Sequence, residues 1–542
     1  MNEHGRMISN MEKILKRLIA IFFLIVFASI IINNTFFSNL EYYCKVTTDL
    51  SAKAIFIAAV ILIILVSLIH ALLRKIVMHL KHKKLFLIVL FIFFIFQIIL
   101  LKNTFFLTGW DSNIILTDSY LLRDLKIDQL NQYYYSLYPN NILLTYIFAT
   151  VMKVEKFIGI VEYSDAVFGL AIVQSILCTI TAYLLFCIIY HFKKSFTAAW
   201  FGFGMYVVLI IFSGWTGIVY SDSMGLIFPI LIIWFYQNRN KFNKYIVWPS
   251  IALLGYWGYR IKPQIFIVFI AVLIITCINF ILKPEKWKKV KNNFGVISLV
   301  LVVLFVSSTT YKNLPERMGY KLNPNLETPI YHFLMMGFNE AKNGGYYVYD
   351  VKYTLSYYGV EEKKEAIITR LSERLQQYGP KRVAKIMRKK ALSIFNDGTF
   401  AWGFEGGFYR EVFPTDNPFS LFLRSFVYNG EYEIEEGNHY HITKTVQQIV
   451  WISCLILMVI KAIRIKSNDE EDDIYSVLYL SILGLFLFEM LFEARARYLY
   501  TYVPLFILIG SMGMYDLSYF MNQLISKKDK PKIEVAKTKS SI

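Results

Sequence analysis

Apolar residues in this chain gather in long unbroken runs, and polar residues fall in the breaks between them. Residues 84–101 read KLFLIVLFIFFIFQIILL, with neither the alternation of a half-buried strand nor the 3.6-residue stripe of an amphipathic helix. A helix apolar on every side belongs in lipid or among other helices. About 18 such residues are enough to cross a bilayer. Runs near 13–33, 54–73, 84–101, 164–190, 196–213, 223–237, 245–258, 264–282, 293–310, 446–463, 474–491 and 498–517 predict an all-α polytopic membrane protein of about 12 transmembrane helices. The two shortest runs are 223–237 and 245–258.

A further apolar stretch, NNILLTYIFATVMKV at 140–154, is judged by charge. Lys and Arg collect on the cytoplasmic side because translocating them is disfavoured. With Lys13, Lys16 and Arg17 inside, the loop from Arg74-Lys75 to Lys83-Lys84 also falls inside. If 140–154 crossed, then Lys193-Lys194, Arg239 with Lys241 and Lys244, and KPEKWKKVK at 283–291 would all face outward. If it only dips into the outer leaflet, all three fall inside, with the basic tail from Lys527. The stretch is short, follows Pro139 and ends in Lys153, Glu155 and Lys156. A non-crossing juxtamembrane helix over 140–158 is therefore predicted. Under this parity the loop 102–163, Asp222, Arg260, Lys262, the segment 311–445 and residues 493–497 share the extracytoplasmic face.

The resulting division is N-terminal helices over 1–83, a transmembrane module over 84–310, a small mixed extracytoplasmic domain over 311–445, C-terminal helices over 446–517 and a basic cytoplasmic tail over 518–542. The net charge of +18 then reports topology rather than nucleic-acid binding. Five scattered cysteines offer neither a disulfide framework nor metal-ligand spacing. The run 13–33 is not followed by a small-residue cleavage site, so it reads as a retained helix. Walker, GxGxxG, GxSxG and HExxH patterns are absent, which removes the usual signatures of nucleotide-driven transport and of serine or zinc hydrolysis.

Chemistry is concentrated at the outer boundary. TGWDSNIILTDSY (108–120) carries Asp111 and Asp118, which on spacing alone read as ordinary loop carboxylates. Asp222, in WTGIVYSDSMGLIFPI (215–230), is either a helix cap or a functional acid. Arg260 and Lys262 in GYWGYRIKPQIFIVFI (255–270) oppose the charge bias, which favours a held anion, with a lipid phosphate the obvious candidate. FEARARYLYTYVP (492–504) embeds Glu493, Arg495 and Arg497 between apolar segments, and guanidinium pairs with phosphate through two parallel hydrogen bonds. Within 311–445, PKRVAKIMRKKALSIF (380–395) predicts a basic amphipathic helix along anionic headgroups. The aromatic, glycine-rich stretch 396–413 suits stacking on sugar rings or docking on a membrane. His439 and His441, near Glu435 and Glu436, read as exposed loop histidines rather than metal ligands.

This order of features resembles the GT-C superfamily of polyprenyl-phosphate-sugar-dependent glycosyltransferases, of the protein O-mannosyltransferase and aminoarabinose-transferase type. The resemblance covers 84–310 and 446–517, and is weaker over 311–445. Asp111 matches the family's acid in its first extracytoplasmic loop, YPNN (138–141) the start of its non-crossing helices, and Asp222 its second acid. Lys262-Pro263 matches a basic-Pro pair, and Glu493, Arg497, Tyr498, Leu499 and Pro504 match a late E-x-x-x-RYL…P pattern. Two helices precede the one before Asp111 where the family commonly has one, and Asp111-Ser112 replaces the paired Asp-Glu of the protein mannosyltransferases.

The resemblance implies an inverting transfer of sugar from a lipid-linked monophosphate donor to an acceptor hydroxyl. Asp111 would act as base and Asp222 would orient the acceptor. Lys262, Arg495 and Arg497, with Arg260, would hold the donor phosphate, supported by Glu493 and Tyr498. No cofactor is implied; the family divides on use of a divalent metal. A Lys-, Asn- and Ile-rich composition suggests an AT-rich bacterium, hence a cell-envelope acceptor such as teichoic acid or wall polysaccharide. A lipid-linked-sugar flippase, or a polysaccharide polymerase or ligase, would use the same cations.

Overall fold

Away from water, backbone polar groups must bond within their own segment, so long apolar runs become long helices. The computed structural model describes residues 3–38, 50–77, 82–281, 290–405, 409–412, 417–428, 439–463 and 469–528. Three long helices come first: α1 (Glu3–Phe36), α2 (Ala52–Val77) and α3 (His82–Thr104). Short elements follow: β1 (Phe106–Thr108), α4 (Asp111–Arg123), α5 (Gln132–Leu137) and α6 (Ile142–Phe157). The next group is α7 (Tyr163–Lys193), α8 (Phe196–Tyr206), α9 (Ser221–Gly225), α10 (Ile227–Gln237), α11 (Lys244–Ile261), α12 (Phe266–Ile281) and α13 (Val290–Lys312). The segment after it holds α14 (Leu314–Arg317), α15 (Ile330–Gly337), α16 (Val348–Leu355), α17 (Val360–Phe395), α18 (Trp402–Glu405), β2 (Tyr409–Val412) and α19 (Pro418–Val427). Last come α20 (Tyr440–Ile463), α21 (Asp469–Leu491) and α22 (Val503–Lys528).

The protein is an all-α, multi-pass membrane protein. Among the described residues, nine helices are long and apolar enough to cross a bilayer: α1, α2, α3, α7, α12, α13, α20, α21 and α22, the last counted from Ala496. The expected spans at 196–213, 223–237 and 245–258 also form helices, α8, α9–α10 and α11, but these fall short in length or hydropathy. At 16 residues, α6 is not among the nine, and it packs on α4 and α7.

α22 lies against α20, and α20 also packs on α1 and α2. Close approach depends on missing side chains: a Cβ on Gly513 would run into the Leu457 carbonyl, and one on Gly510 would crowd Cys454. Buried rings of Phe27, Phe395, Trp451 and Phe506 fill the adjoining core. Phe395 belongs to the segment 311–445, as do Phe400 and Trp402 of the same core, so that segment shares the bundle's interior.

Paired charges gather at two opposite ends of the bundle. At one end Lys16 bonds Glu12 and Asp473, each at 2.6 Å, Arg239 bonds Asp473 at 2.8 Å, and Lys461 bonds Asp516 at 2.8 Å. The other end carries α17 and the residues described next.

β1 and β2 form one antiparallel pair, with Phe106 opposite Val412 and Leu107 opposite Glu411. This pair ties the strand before Asp111 to the segment 311–445. Asn396 to Trp402 is the second tie. Asp397 accepts from the backbone N–H of Thr399 and Ala401, folding a turn in which Phe400 and Ala401 both take positive φ, 55° and 63°. Trp215 donates to the carbonyls of Thr399 and Phe400 at 3.2 and 2.9 Å, and Gly214 leaves room for the Trp402 ring.

Candidate active site

α4 starts at Asp111 without a side-chain cap on its N-terminus. What holds that end is Ser112, whose buried hydroxyl donates to the Val219 carbonyl at 2.9 Å. Ser112 thus fixes the Asp111 turn against the segment leading to Asp222. Trp110, just before, meets Tyr220 edge-on at 5.0 Å between ring centroids. Asp111 itself is half-buried beside tyrosines. Burial and the Asp111 charge push the Tyr138 phenol up to about 12, and raise those of Tyr134 and Tyr220 further. Tyr134 is fixed in turn by Asn141, which donates to its hydroxyl at 2.6 Å.

Asp222 lies in α9 and is 2 % exposed. Lys262, 4 % exposed, forms an ion pair with its Oδ1. Lys262 sits at an extended break (φ −152°, ψ 115°) between α11 and the Pro263 turn. The break aims its side chain inward. Arg497 approaches from the far end of the chain, its Nε 3.6 Å from Asp222 Oδ2. Its guanidinium is boxed by Trp110 at 4.7 Å, Trp215 at 5.5 Å and Tyr220 at 5.9 Å. Lys262 lies 5.1 Å from the Tyr498 ring. Arg497 therefore bridges the Trp110–Asp111 turn and Asp222. Asp222, Lys262 and Arg497 together carry one net positive charge in a largely dry setting, where such a charge acts strongly on an incoming anion.

Glu493 and Arg495 pair with each other at 2.8 Å, and Arg495 lies 5.5 Å from the Tyr346 ring. The Glu493 charge, like that of Asp111, acts to raise the Tyr138 phenol. Arg260 is placed differently. It bonds the Tyr256 hydroxyl at 3.3 Å and packs on the rings of Tyr259 and Tyr311, at 5.0 and 4.0 Å.

One expectation is corrected: Asp118 is not an ordinary loop carboxylate but a buried residue of α4. It is 3 % exposed and accepts from the Asn131 N–H and the Tyr320 hydroxyl, each at 2.9 Å, while burial raises its pKa. His439 lies half-buried in the turn just before α20, and His441 is exposed in the first turn of that helix. His439 pairs through Nδ1 with the Ser425 hydroxyl at 2.8 Å and stacks on Phe426. Glu435 and Glu436 lie outside the described residues. Among the described residues, no three His, Cys, Asp or Glu side chains gather where a metal ion could be held.

Two residues escaped the sequence reading. Glu489, fully buried in α21 one turn before Glu493, faces Lys262, Lys390 and the Arg495 N–H. Its signal was an acid inside the apolar run GLFLFEMLF. Lys390 of α17 is also fully buried and donates to three carbonyls: Gly337 at 2.9 Å, Met490 at 2.8 Å and Phe492 at 2.7 Å. It clasps the chain entering Glu493–Arg497 to α15. Gly344 completes the clasp, accepting from the Ala494 N–H at 2.8 Å with φ +76° and the Lys390 stem against its open side.

A family model described as a conserved hypothetical integral membrane protein matches residues 7–517. The chain belongs to that family. The match runs through every element of the site, from the Asp111 turn to Arg497, and its description agrees with the spans seen in the fold. No curated protein and no solved structure matches the chain.

Proposed function

We propose that this protein is a glycosyltransferase of the GT-C type, moving a sugar from a polyprenyl-phosphate donor to an acceptor hydroxyl outside the membrane. The observation that carries this reading is the meeting of Asp222, Lys262 and Arg497 beside the Trp110–Asp111 turn. Those residues come from four distant parts of the chain and combine carboxylates with cations already in place.

In this reading the protein crosses the membrane twelve times. Both termini are cytoplasmic, and α4 to α6 lie along the extracytoplasmic surface. Asp111 takes the proton of the acceptor hydroxyl, a poor nucleophile that needs a positioned base. The oxygen attacks the anomeric carbon as the bond to the donor phosphate breaks, inverting that centre. The phosphate leaves with the electron pair, and Arg497 and Lys262 stabilise its developing charge. Asp222 keeps both cations oriented, a role that its ion pair with Lys262 suits better than proton transfer. Arg495, held by Glu493, borders the site. Arg260, packed among tyrosines, acts at its margin. The acceptor is a cell-envelope polymer.

The test is Asp111→Asn in reconstituted vesicles with a polyprenyl-phosphate-linked sugar. Transfer falls by about 100-fold or more, while donor binding stays within a factor of two or so of the unmodified protein. Undiminished transfer removes Asp111 from catalysis. Movement of the donor between leaflets without any transfer would identify a flippase instead.

A further inference from the structure

The basic half of α17 has two faces. Ile386, Lys390 and Ile394, spaced by four, are buried. On the opposite side Lys381, Lys385 and Arg388 are exposed and Lys389 is partly so, at spacings of four, seven and eight that put them on one helical face. Glu340 faces them: it pairs with Arg382, and its pKa is lowered by Arg382, Lys385 and Lys389.

The height of this face in the membrane is set by α1. Its span ends at Phe36, and Ile32, Phe36 and Phe37 are all exposed apolar residues. At that level Arg388 stacks on the Phe37 ring at 4.4 Å, donates to Asn33 Oδ1 at 2.9 Å, and its carbonyl accepts from Asn33 Nδ2 at 3.3 Å. The end of α17 is stapled beside it: the Phe395 carbonyl accepts from Asn34 at 3.0 Å and from Trp451 at 2.9 Å. Lys53, at the start of α2, lies 5.9 Å from the Phe36 ring. The cations thus stand where lipid-facing side chains give way to polar ones, which is the depth of the headgroups.

We infer that the 381–389 face of α17, together with Lys53, binds the phosphate headgroups of anionic lipids in the leaflet where α1 ends. Long basic side chains keep their stems along the apolar rim and present charge to phosphate. Clusters of this size attract anionic lipid cumulatively, and the attraction weakens with salt. A phosphate-rich polymer would meet the same charges, but the apolar rim of Ile32, Phe36 and Phe37 favours lipid. The binding stands whatever reaction the active site performs. It has a route to that site, because the opposite face of the same helix carries Lys390 and its clasp on the chain before Glu493.

The experiment compares the full-length protein with the Lys381→Gln/Lys385→Gln/Lys389→Gln variant in nanodiscs of phosphatidylcholine with or without phosphatidylglycerol. Retained phosphatidylglycerol is read by native mass spectrometry, and melting by tryptophan fluorescence. The unmodified protein is expected to retain phosphatidylglycerol and to melt higher in its presence. The variant melts normally in phosphatidylcholine, retains roughly tenfold less of the anionic lipid and loses the increment. Equal retention by the two proteins overturns the inference. So does polyphosphate binding in phosphatidylcholine discs that depends on these lysines, without any preference for phosphatidylglycerol. Should the triple variant fail to fold, Lys381→Gln/Lys385→Gln gives the same comparison at two exposed positions.

Discussion

The two aspartates of the stretch 108–120 show how much of a residue's role its neighbours in sequence can reveal. Asp111 was singled out by the resemblance alone, and the structure places it half-buried at the start of α4. The burial of Asp118 was not legible, since the groups that bury it, Tyr320 and the Asn131 N–H, come from outside its helix. Removing a buried acceptor strands its donors. Asp118→Ala should therefore lower stability by about 1–3 kcal/mol, seen as earlier thermal unfolding, with transfer per folded molecule little changed. Asp111→Asn has the opposite pattern, normal melting and lost transfer. Lys390 was hidden among the cations of 380–395, although one sequence feature marks it. It is the single basic residue there standing four residues from both Ile386 and Ile394, in the apolar stripe.

At the level of elements, the long spans were legible because composition alone dictates them. The bend in α17 has a local cause: Gly379 takes φ 62° immediately before Pro380. The placement of α6 depended on an argument from charge, and its packing shows what that argument could not. Glu155 points into α7, where Gly169 lacks the side chain that would strike it. Burial pushes the Glu155 carboxyl from 4.5 up to about 7. Between those values the folded protein holds a proton that the unfolded chain releases, so stability falls as pH rises through the window and levels off above it. Glu155→Gln should flatten this dependence. It should raise stability near pH 8 by on the order of 2 kcal/mol, measured by melting in detergent across pH. A variant with an unaltered pH profile would mean that Glu155 ionises freely in the folded state.

For the molecule as a whole, the sorting of charge to two ends was foreseen in outline, from parity and the positive-inside bias. Its partners were not, since a pair such as Lys16 and Asp473 is separated by 457 positions. That end has no part in the proposed chemistry and offers a control. Asp473→Asn leaves Lys16 and Arg239 without their shared carboxylate and should cost about 1–3 kcal/mol in stability, with transfer per folded molecule unchanged. A selective loss of transfer would show instead that the two ends are coupled. The convergence of Asp222, Lys262 and Arg497 was implied by the resemblance, but their pairing needed three-dimensional contacts.

The β1–β2 pair has a consequence for how the protein is made. Its strands lie about 300 positions apart, and Asp222 waits nearly as long for Arg497. A ribosome delivering the chain in order inserts α1 to α13 before either partner exists. Until α21 has entered the membrane, Asp222 has only Lys262 as its cation, and the Trp110–Asp111 turn has no guanidinium to stack on. The site is thus completed by nearly the last segment to arrive, so chains stalled or clipped before residue 490 lack Arg497 and, on the proposed function, emerge inert rather than partly active.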